Sequence, residues 1–208
     1  MVDALRTDGL RIFPALLDGA RVAELLAELR WVMQEAPPFR PTMPGTGAPF
    51  SVMMTNAGPL GWLSDRAGYR YEPRHPETGR PWPPMPATAL AVWREVAGYS
   101  ADPEACLVNI YETGARMGLH QDRDEVALEA PVVSISLGDT ALFRIGSPSR
   151  RGPTRSLRLA SGDVVVLAGP SRLAFHGIDR ILAGTSRLLP EGGRINLTLR
   201  RVTRPLPA

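Results

Sequence analysis

Between residues 19 and 35 the segment GARVAELLAELRWVMQE places Val22, Leu25, Leu26, Leu29, Val32 and Met33 at intervals of three and four. That spacing gathers apolar side chains on one helical face and predicts an amphipathic helix covering a larger body. Asp18 stands at the N-cap position, and Pro37-Pro38 stops the helix. A second helix is predicted over 87–99, ATALAVWREVAGY. Between them, 37–86 is rich in Pro and Gly and carries Met43, Phe50, Met53, Met54, Trp62, Tyr69, Tyr71 and Trp82. So many large side chains point to an ordered functional loop region rather than a linker. From about residue 105 the period changes. VVSISLG (132–138), ALFRI (141–145), DVVVLAG (163–169) and RINLTLRR (194–201) alternate or run apolar between Gly-Asp and Gly-Pro turns. They predict an all-β sandwich or barrel core behind two N-terminal helices and a long irregular segment.

Composition narrows the picture. A chain of 208 residues that is 44% hydrophobic suits one domain with a sizeable core and excludes wholesale disorder. No apolar run approaches the roughly 20 residues of a membrane span, and the start of the chain reads as no signal peptide. A lone Cys106 excludes an internal disulfide and a Cys-rich zinc site, and it suits a reducing cytoplasm. All 24 basic residues are Arg, and the net charge is only +3. Their placement is uneven: Arg144, Arg150, Arg151, Arg155 and Arg158 share a stretch without one acidic residue. Such a patch suits phosphate contacts and equally suits a solvated hairpin.

The chain has three histidines. His120 and Asp122 form an His-x-Asp pair in GLHQDRDE, two positions apart, so both point to one side of an extended segment. His176 follows the buried strand, in LAFHGI. Two imidazoles and one carboxylate are the ligand set of a facial triad on non-haem Fe(II); zinc hydrolases use the same set, so the ligands alone leave the metal open. His75 reads as an ordinary surface residue. In the last strand, alternation puts Arg194, Asn196, Thr198 and Arg200 on one face and Ile195, Leu197 and Leu199 on the other. If the polar face points into a barrel, its guanidiniums require an anion, and a dicarboxylate meets that demand. Asn109 and Tyr111 offer an amide and a phenol from a similar alternating segment.

Taken together, NIYETGARMGLHQDRDE, PVVSISLGDTALFRIG, SGDVVVLAGPSRLAFHGI and RINLTLRR resemble the AlkB family of Fe(II)- and 2-oxoglutarate-dependent dioxygenases, its bacterial members above all. MTNAGPLGWLSDRAGYRY resembles that family's nucleotide-recognition region, and the blocks run in order from about residue 50 to residue 201. The resemblance implies an α+β fold: a double-stranded β-helix (jelly-roll) core over 101–208, with N-terminal helices and a nucleotide-recognition segment over 1–100. It implies Fe(II) held by His120, Asp122 and His176, and 2-oxoglutarate held by Arg194 and Arg200 with Asn109, Tyr111 and Asn196, with O2 as the other cosubstrate. Trp62 and Tyr69 would line a pocket for a flipped base, Asp124 and Glu125 would sit near its exocyclic nitrogen, and Arg150 would lie near the substrate. The implied activity is oxidative demethylation of 1-methyladenine, 3-methylcytosine and similar bases in single-stranded or duplex DNA, with RNA a further candidate. Formaldehyde, succinate and CO2 would be released by a monomeric, cytoplasmic repair enzyme.

Arg144 departs from the bacterial pattern, as does Phe175, which follows an alanine; these leave lesion preference and the choice of DNA or RNA open. The first rival is a 2-oxoglutarate-dependent hydroxylase of a protein or small molecule, with the same triad and arginines. A zinc hydrolase or a metal-binding barrel is the other, and it has no use for an enclosed pair of arginines. Trp62 also reads as a buried anchor, Tyr69 and Tyr71 as strand core, Asp124 as a turn cap and Arg150 as a loop arginine.

Overall fold

The computed structural model describes residues 5–7 and 9–205; the expectation about the first residues of the chain falls partly outside them. Helix α1 spans Gly19–Glu35, as its periodicity requires. The Asp18 side chain accepts from the amide of Arg21 at 2.9 Å, supplying the N-cap. Helix α2 runs over Ala87–Val96, shorter than predicted, because Gly98 at φ 65° turns the chain out of the helix. Its first amides meet Glu28 of α1, at 3.0 Å from Ala87, which caps one helix with the other.

Among the described residues thirteen strands complete the fold. Before α1 come β1 (Leu5–Thr7) and β2 (Leu10–Phe13), and the irregular segment contains β3 (Met53–Ala57), β4 (Gly61–Asp65) and β5 (Gly68–Glu72). After α2 follow β6 (Ala105–Tyr111), β7 (Met117–His120), β8 (Val132–Gly138) and β9 (Thr140–Ile145). The last four are β10 (Arg155–Leu159), β11 (Val164–Leu167), β12 (His176–Leu182) and β13 (Arg194–Arg200). The order β1-β2-β11-β8-β13-β6-β3 forms a major sheet, β10-β9-β12-β7 a minor sheet, and β4-β5 a separate hairpin. This is the jelly-roll arrangement that the sequence blocks imply. Strands β2 and β3 sit within the major sheet, so residues on both sides of position 100 build one sheet.

The alternation along β13 sorts the molecule into layers. Ile195, Leu197 and Leu199 join Val133, Ile135, Leu25, Leu29 and Trp93 in the core between the major sheet and the helices. On the opposite face Val132, Val165 and Leu167 meet Ala141, Phe143, Ile145 and Leu159 of the minor sheet. Asp139 secures the corner between β8 and β9: its carboxylate accepts from the amides of Ser186 at 2.9 Å and Gly193 at 3.0 Å. The space left between the two sheets is the site.

His75 is buried at 2% exposure, which corrects its reading as a surface residue. Its Nδ1 accepts from the amides of Glu77 and Thr78, and its Nε2 donates to the Pro37 carbonyl at 2.8 Å. The ring packs on Phe39 and Trp82 and pins the loop that follows the β4–β5 hairpin. Among the described residues no helix is long and apolar enough to cross a membrane.

Candidate active site

His120 ends β7 and His176 opens β12, and the two are direct partners across antiparallel strands. Gly177 makes that approach possible: a Cβ there would lie 2.5 Å from the Met117 carbonyl oxygen and 2.7 Å from that of Gly118. Each imidazole is fixed in the same way. His120 Nδ1 donates to the Gly118 carbonyl and His176 Nδ1 to the Ala174 carbonyl, both at 2.9 Å. A carbonyl only accepts, so Nδ1 carries the proton and the Nε2 lone pair of each ring is free. Those nitrogens lie 3.8 Å and 3.7 Å from the two carboxylate oxygens of Asp122. These distances are too long for hydrogen bonds. They suit donors converging on one ion, since ligands about 2.1 Å from a metal at right angles stand about 3 Å apart. Buried Asp122 Oδ2 has no hydrogen-bond partner, which a metal would supply.

Charge and burial set the protonation of the triad. Burial alone would raise the Asp122 carboxyl, but Arg200, with further help from His176, holds it well below the ordinary carboxylate range. Burial and neighbouring His120 push the His176 imidazole down to about 4, so at neutral pH it is the uncharged form that a metal needs.

On the major-sheet side, Arg194, Asn196, Thr198 and Arg200 line a cavity of about 520 Å³ together with Asn109 and Tyr111. Arg194 pairs with Tyr111 and Asn196 with Asn109 across β13 and β6. Arg194 is 1% exposed; it donates to Ser136 Oγ at 2.7 Å, while its Nε has no partner. Among the described residues no carboxylate lies within 4 Å of it, and burial lowers its guanidinium to about 10. A buried cation in this state calls for an anion. Burial raises the Tyr111 phenol to about 12, leaving it a neutral donor. The Asn196 amide donates to Ser134 Oγ and the Ile135 carbonyl, so it braces the sheet from within the lining.

At the open end of the cavity stands the β4–β5 hairpin. Its register pairs Trp62 with Tyr71 and Ser64 with Tyr69, so Trp62, Tyr69 and Tyr71 share one face. Trp62 and Tyr69 stack at 5.5 Å between centroids, 19° from parallel, with Tyr69 47% exposed. The Trp62 indole donates to exposed Asp124 Oδ2 at 2.9 Å. Arg150 lies over the Phe175 ring at 5.8 Å, and both residues line the cavity.

The model of the 2OG-Fe(II) oxygenase superfamily matches residues 9–200. An alpha-ketoglutarate-dependent dioxygenase AlkB homolog of Caulobacter vibrioides is 58% identical over 193 residues, 93% of this chain and 87% of that one. The chain belongs to the 2OG-Fe(II) oxygenase superfamily, on its AlkB branch.

Further matches place this oxygenase among AlkB proteins. The alpha-ketoglutarate-dependent dioxygenase AlkB of Escherichia coli is 43% identical over 182 residues, covering 86% of this chain and 83% of that one. A DNA N(6)-methyladenine demethylase of Arabidopsis thaliana, ALKBH1D, is 42% identical over 108 residues, 47% of this chain and 24% of that one. The solved structure of OsALKBH1 superposes with a TM-score of 0.78 at 28% identity, over 96% of this chain and all of that one. Fe(II) is therefore the metal of this oxygenase and 2-oxoglutarate its cosubstrate, and the residues present fit both. The triad offers two free imidazole nitrogens and an unpartnered carboxylate oxygen; Arg194 offers a buried cation without a direct ion-pair partner among the described residues.

The structure brings His120, Asp122, His176, Asn109, Tyr111, Arg194, Asn196, Arg200, Trp62, Tyr69, Asp124, Glu125 and Arg150 around one cavity. Trp62 and Tyr69 both line the cavity, stacked on each other too closely to admit a planar group between them. One placement differs from expectation. Glu125 turns away from the mouth: it is 5% exposed, and its carboxylate accepts from the Tyr71 hydroxyl and from Arg172 at 3.0 Å. Sequence reasoning overlooked Arg172, 3% exposed, whose guanidinium also donates to the Ala130 and Asp122 carbonyls. An arginine in a Gly-Pro-Ser-Arg loop gives no sign of burial. Gln121 was overlooked as well; its amide ties the metal segment to the Leu173 carbonyl at 2.6 Å.

Proposed function

We propose that this oxygenase removes N-linked methyl groups from bases such as 1-methyladenine and 3-methylcytosine in DNA, acting as a direct-reversal repair enzyme in the cytoplasm, as a monomer. One observation carries the reading: the metal triad, the unpaired Arg194 and the Trp62–Tyr69–Asp124 rim open into the same cavity. A base seated on the aromatic rim lies beside the triad. The relatives support a nucleic-acid substrate, one of them being a DNA N(6)-methyladenine demethylase.

In this reading His120, Asp122 and His176 hold Fe(II), and Arg194 with Tyr111 and Asn109 receives the distal carboxylate of 2-oxoglutarate near Arg200. The iron, 2-oxoglutarate and O2 supply the oxidising power that hydroxylates the N-methyl carbon, after which formaldehyde leaves the base, with succinate and CO2 as coproducts. The protein positions the reactants. A ring face of Trp62 or Tyr69 stacks the flipped base, a contact worth about 1–3 kcal/mol per base. Exposed Asp124 attracts a base made cationic by methylation, and such a base is easier to unstack than a paired one. The stem of the cavity, lined by Leu107, Val132, Phe143 and Leu167, keeps water from the reacting centre. Arg150 stands exposed at the rim, and its sequence neighbours Arg151 and Arg155 are exposed as well, a patch that suits phosphate.

The test supplies Fe(II), 2-oxoglutarate and oligonucleotides bearing 1-methyladenine or 3-methylcytosine, single-stranded and duplex, DNA and RNA. Formaldehyde and restored base are expected with the wild type and absent with His120→Ala. Turnover on none of these strands contradicts the repair reading.

A further inference from the structure

Glu125 follows the metal segment closely enough in sequence to suggest a role beside the base. Its surroundings point elsewhere. The side chain is 1% exposed, and its two cationic neighbours are buried guanidiniums rather than groups at the mouth. Arg172 contacts it at 3.0 Å, Arg200 Nε approaches at 3.5 Å, and the Tyr71 hydroxyl donates to it. Arg200 in turn reaches Asp122 Oδ1 at 2.8 Å, and Arg172 donates to the Asp122 main-chain oxygen and to Ala130. Four buried charges thus close a loop, two carboxylates against two guanidiniums.

The balance of that loop changes when Asp122 shares its charge with a metal. Arg200 then loses part of its nearest counter-ion, and an under-compensated buried guanidinium is costly and poorly fixed. Glu125 is the one other carboxylate among the described residues in ion-pair range of Arg200. We propose that Glu125 is a positioning residue for the cosubstrate: with Arg172 it holds the Arg200 guanidinium in place, and through Tyr71 it joins the base-carrying hairpin to the cosubstrate end. This rests on Arg200 as a 2-oxoglutarate ligand. It divides the adjacent acids by task, Asp124 toward the base and Glu125 toward the cosubstrate.

The experiment titrates 2-oxoglutarate calorimetrically into the full-length protein loaded with Mn(II), which permits binding without turnover, and separately measures KM for a methylated oligonucleotide. Glu125→Gln keeps the shape and removes the charge; 2-oxoglutarate binding should weaken about 10-fold or more, as for other groups that support metal-site ligands. Tyr71→Phe removes one hydroxyl from the same loop and should weaken it about 3-fold. Asp124→Asn should instead raise KM for the oligonucleotide with 2-oxoglutarate binding unchanged. A loss of 2-oxoglutarate affinity in Glu125→Gln that exceeds its change in oligonucleotide KM supports the assignment; any other pattern overturns it, including equal losses from a general loosening of the fold. Should Glu125→Gln not fold, Tyr71→Phe is judged by the same comparison. If the wild type demethylates nothing, the proposed function fails, and the titration alone then decides on Glu125: an undiminished affinity overturns its role.

Discussion

Arg194 shows how much a single buried group says about a ligand. Its guanidinium has hydroxyl and carbonyl neighbours but no carboxylate within 4 Å among the described residues, so no direct ion pair offsets its charge and a bound anion would supply one. Arg194→Met keeps the apolar volume and removes the charge. Removing one partner of a buried charge pair costs about 2–5 kcal/mol, so 2-oxoglutarate binding should weaken at least about 30-fold. The variant should be as stable as the parent without ligand, or more so, as read from urea midpoints. Equal 2-oxoglutarate affinity in parent and variant would exclude this arginine from the clamp.

His176 gives a pH dependence whose sign follows from its burial. The folded imidazole is pushed down to about 4, whereas in the unfolded chain it titrates near 6.5. Between those values the unfolded chain holds the extra proton, so acid favours unfolding. The metal-free protein should therefore lose stability from this group as pH falls from about 6.5 toward about 4, by at most about 1.4 kcal/mol per unit. Urea midpoints at pH 7.5, 5.5 and 4.5 check it, and His176→Asn should flatten the curve across that window. A parent curve no steeper than the variant's contradicts the stated burial of the imidazole.

At the scale of elements, legibility followed regular pattern. The period of α1 and its Asp18 cap, and the alternation of β8 and β13, are written in local residue order, and each lies where expected. The β4–β5 hairpin does not stand out in the sequence, although GWLSD and GYRYE flank an Arg-Ala turn, because surrounding Pro and Gly mask the alternation. Strand β12 is hidden for a different reason: its register shifts between Ile178 and Arg180, and a bulge breaks the period of two. Arginines at exposed positions hid β10. Gly177 joins β7 to β12, and a methyl group there would strike main-chain oxygens that cannot move singly. Gly177→Ala should cost about 1–3 kcal/mol in stability and separate the histidines, lowering Mn(II) affinity. Circular dichroism should show the helices and major sheet retained. Parent-like Mn(II) binding in this variant would mean that the close approach does not set the metal geometry.

For the whole molecule, the metal and cosubstrate residues were legible because they belong to short, ordered motifs, while the pairing that assembles them is long-range. Nothing local tells β2 and β3 to enter a sheet with β11 and β6, and nothing local tells Glu125 to face Arg200 instead of the mouth. One face of the major sheet is sealed by α1 and α2, which leaves the other face free to line a cavity and still belong to a stable layer. The rim carries Arg150, with Arg151 and Arg155 exposed close by in sequence, on a chain of net charge +3, so any attraction to nucleic acid is local rather than global. The central claim is that one cavity couples oxidation of 2-oxoglutarate to removal of a base methyl group. Its most direct test is the ratio of formaldehyde to succinate on single-stranded DNA carrying 1-methyladenine. A ratio near one, with succinate falling sharply on the unmethylated strand, is the predicted result; succinate at the same rate on both strands, without formaldehyde, would contradict it.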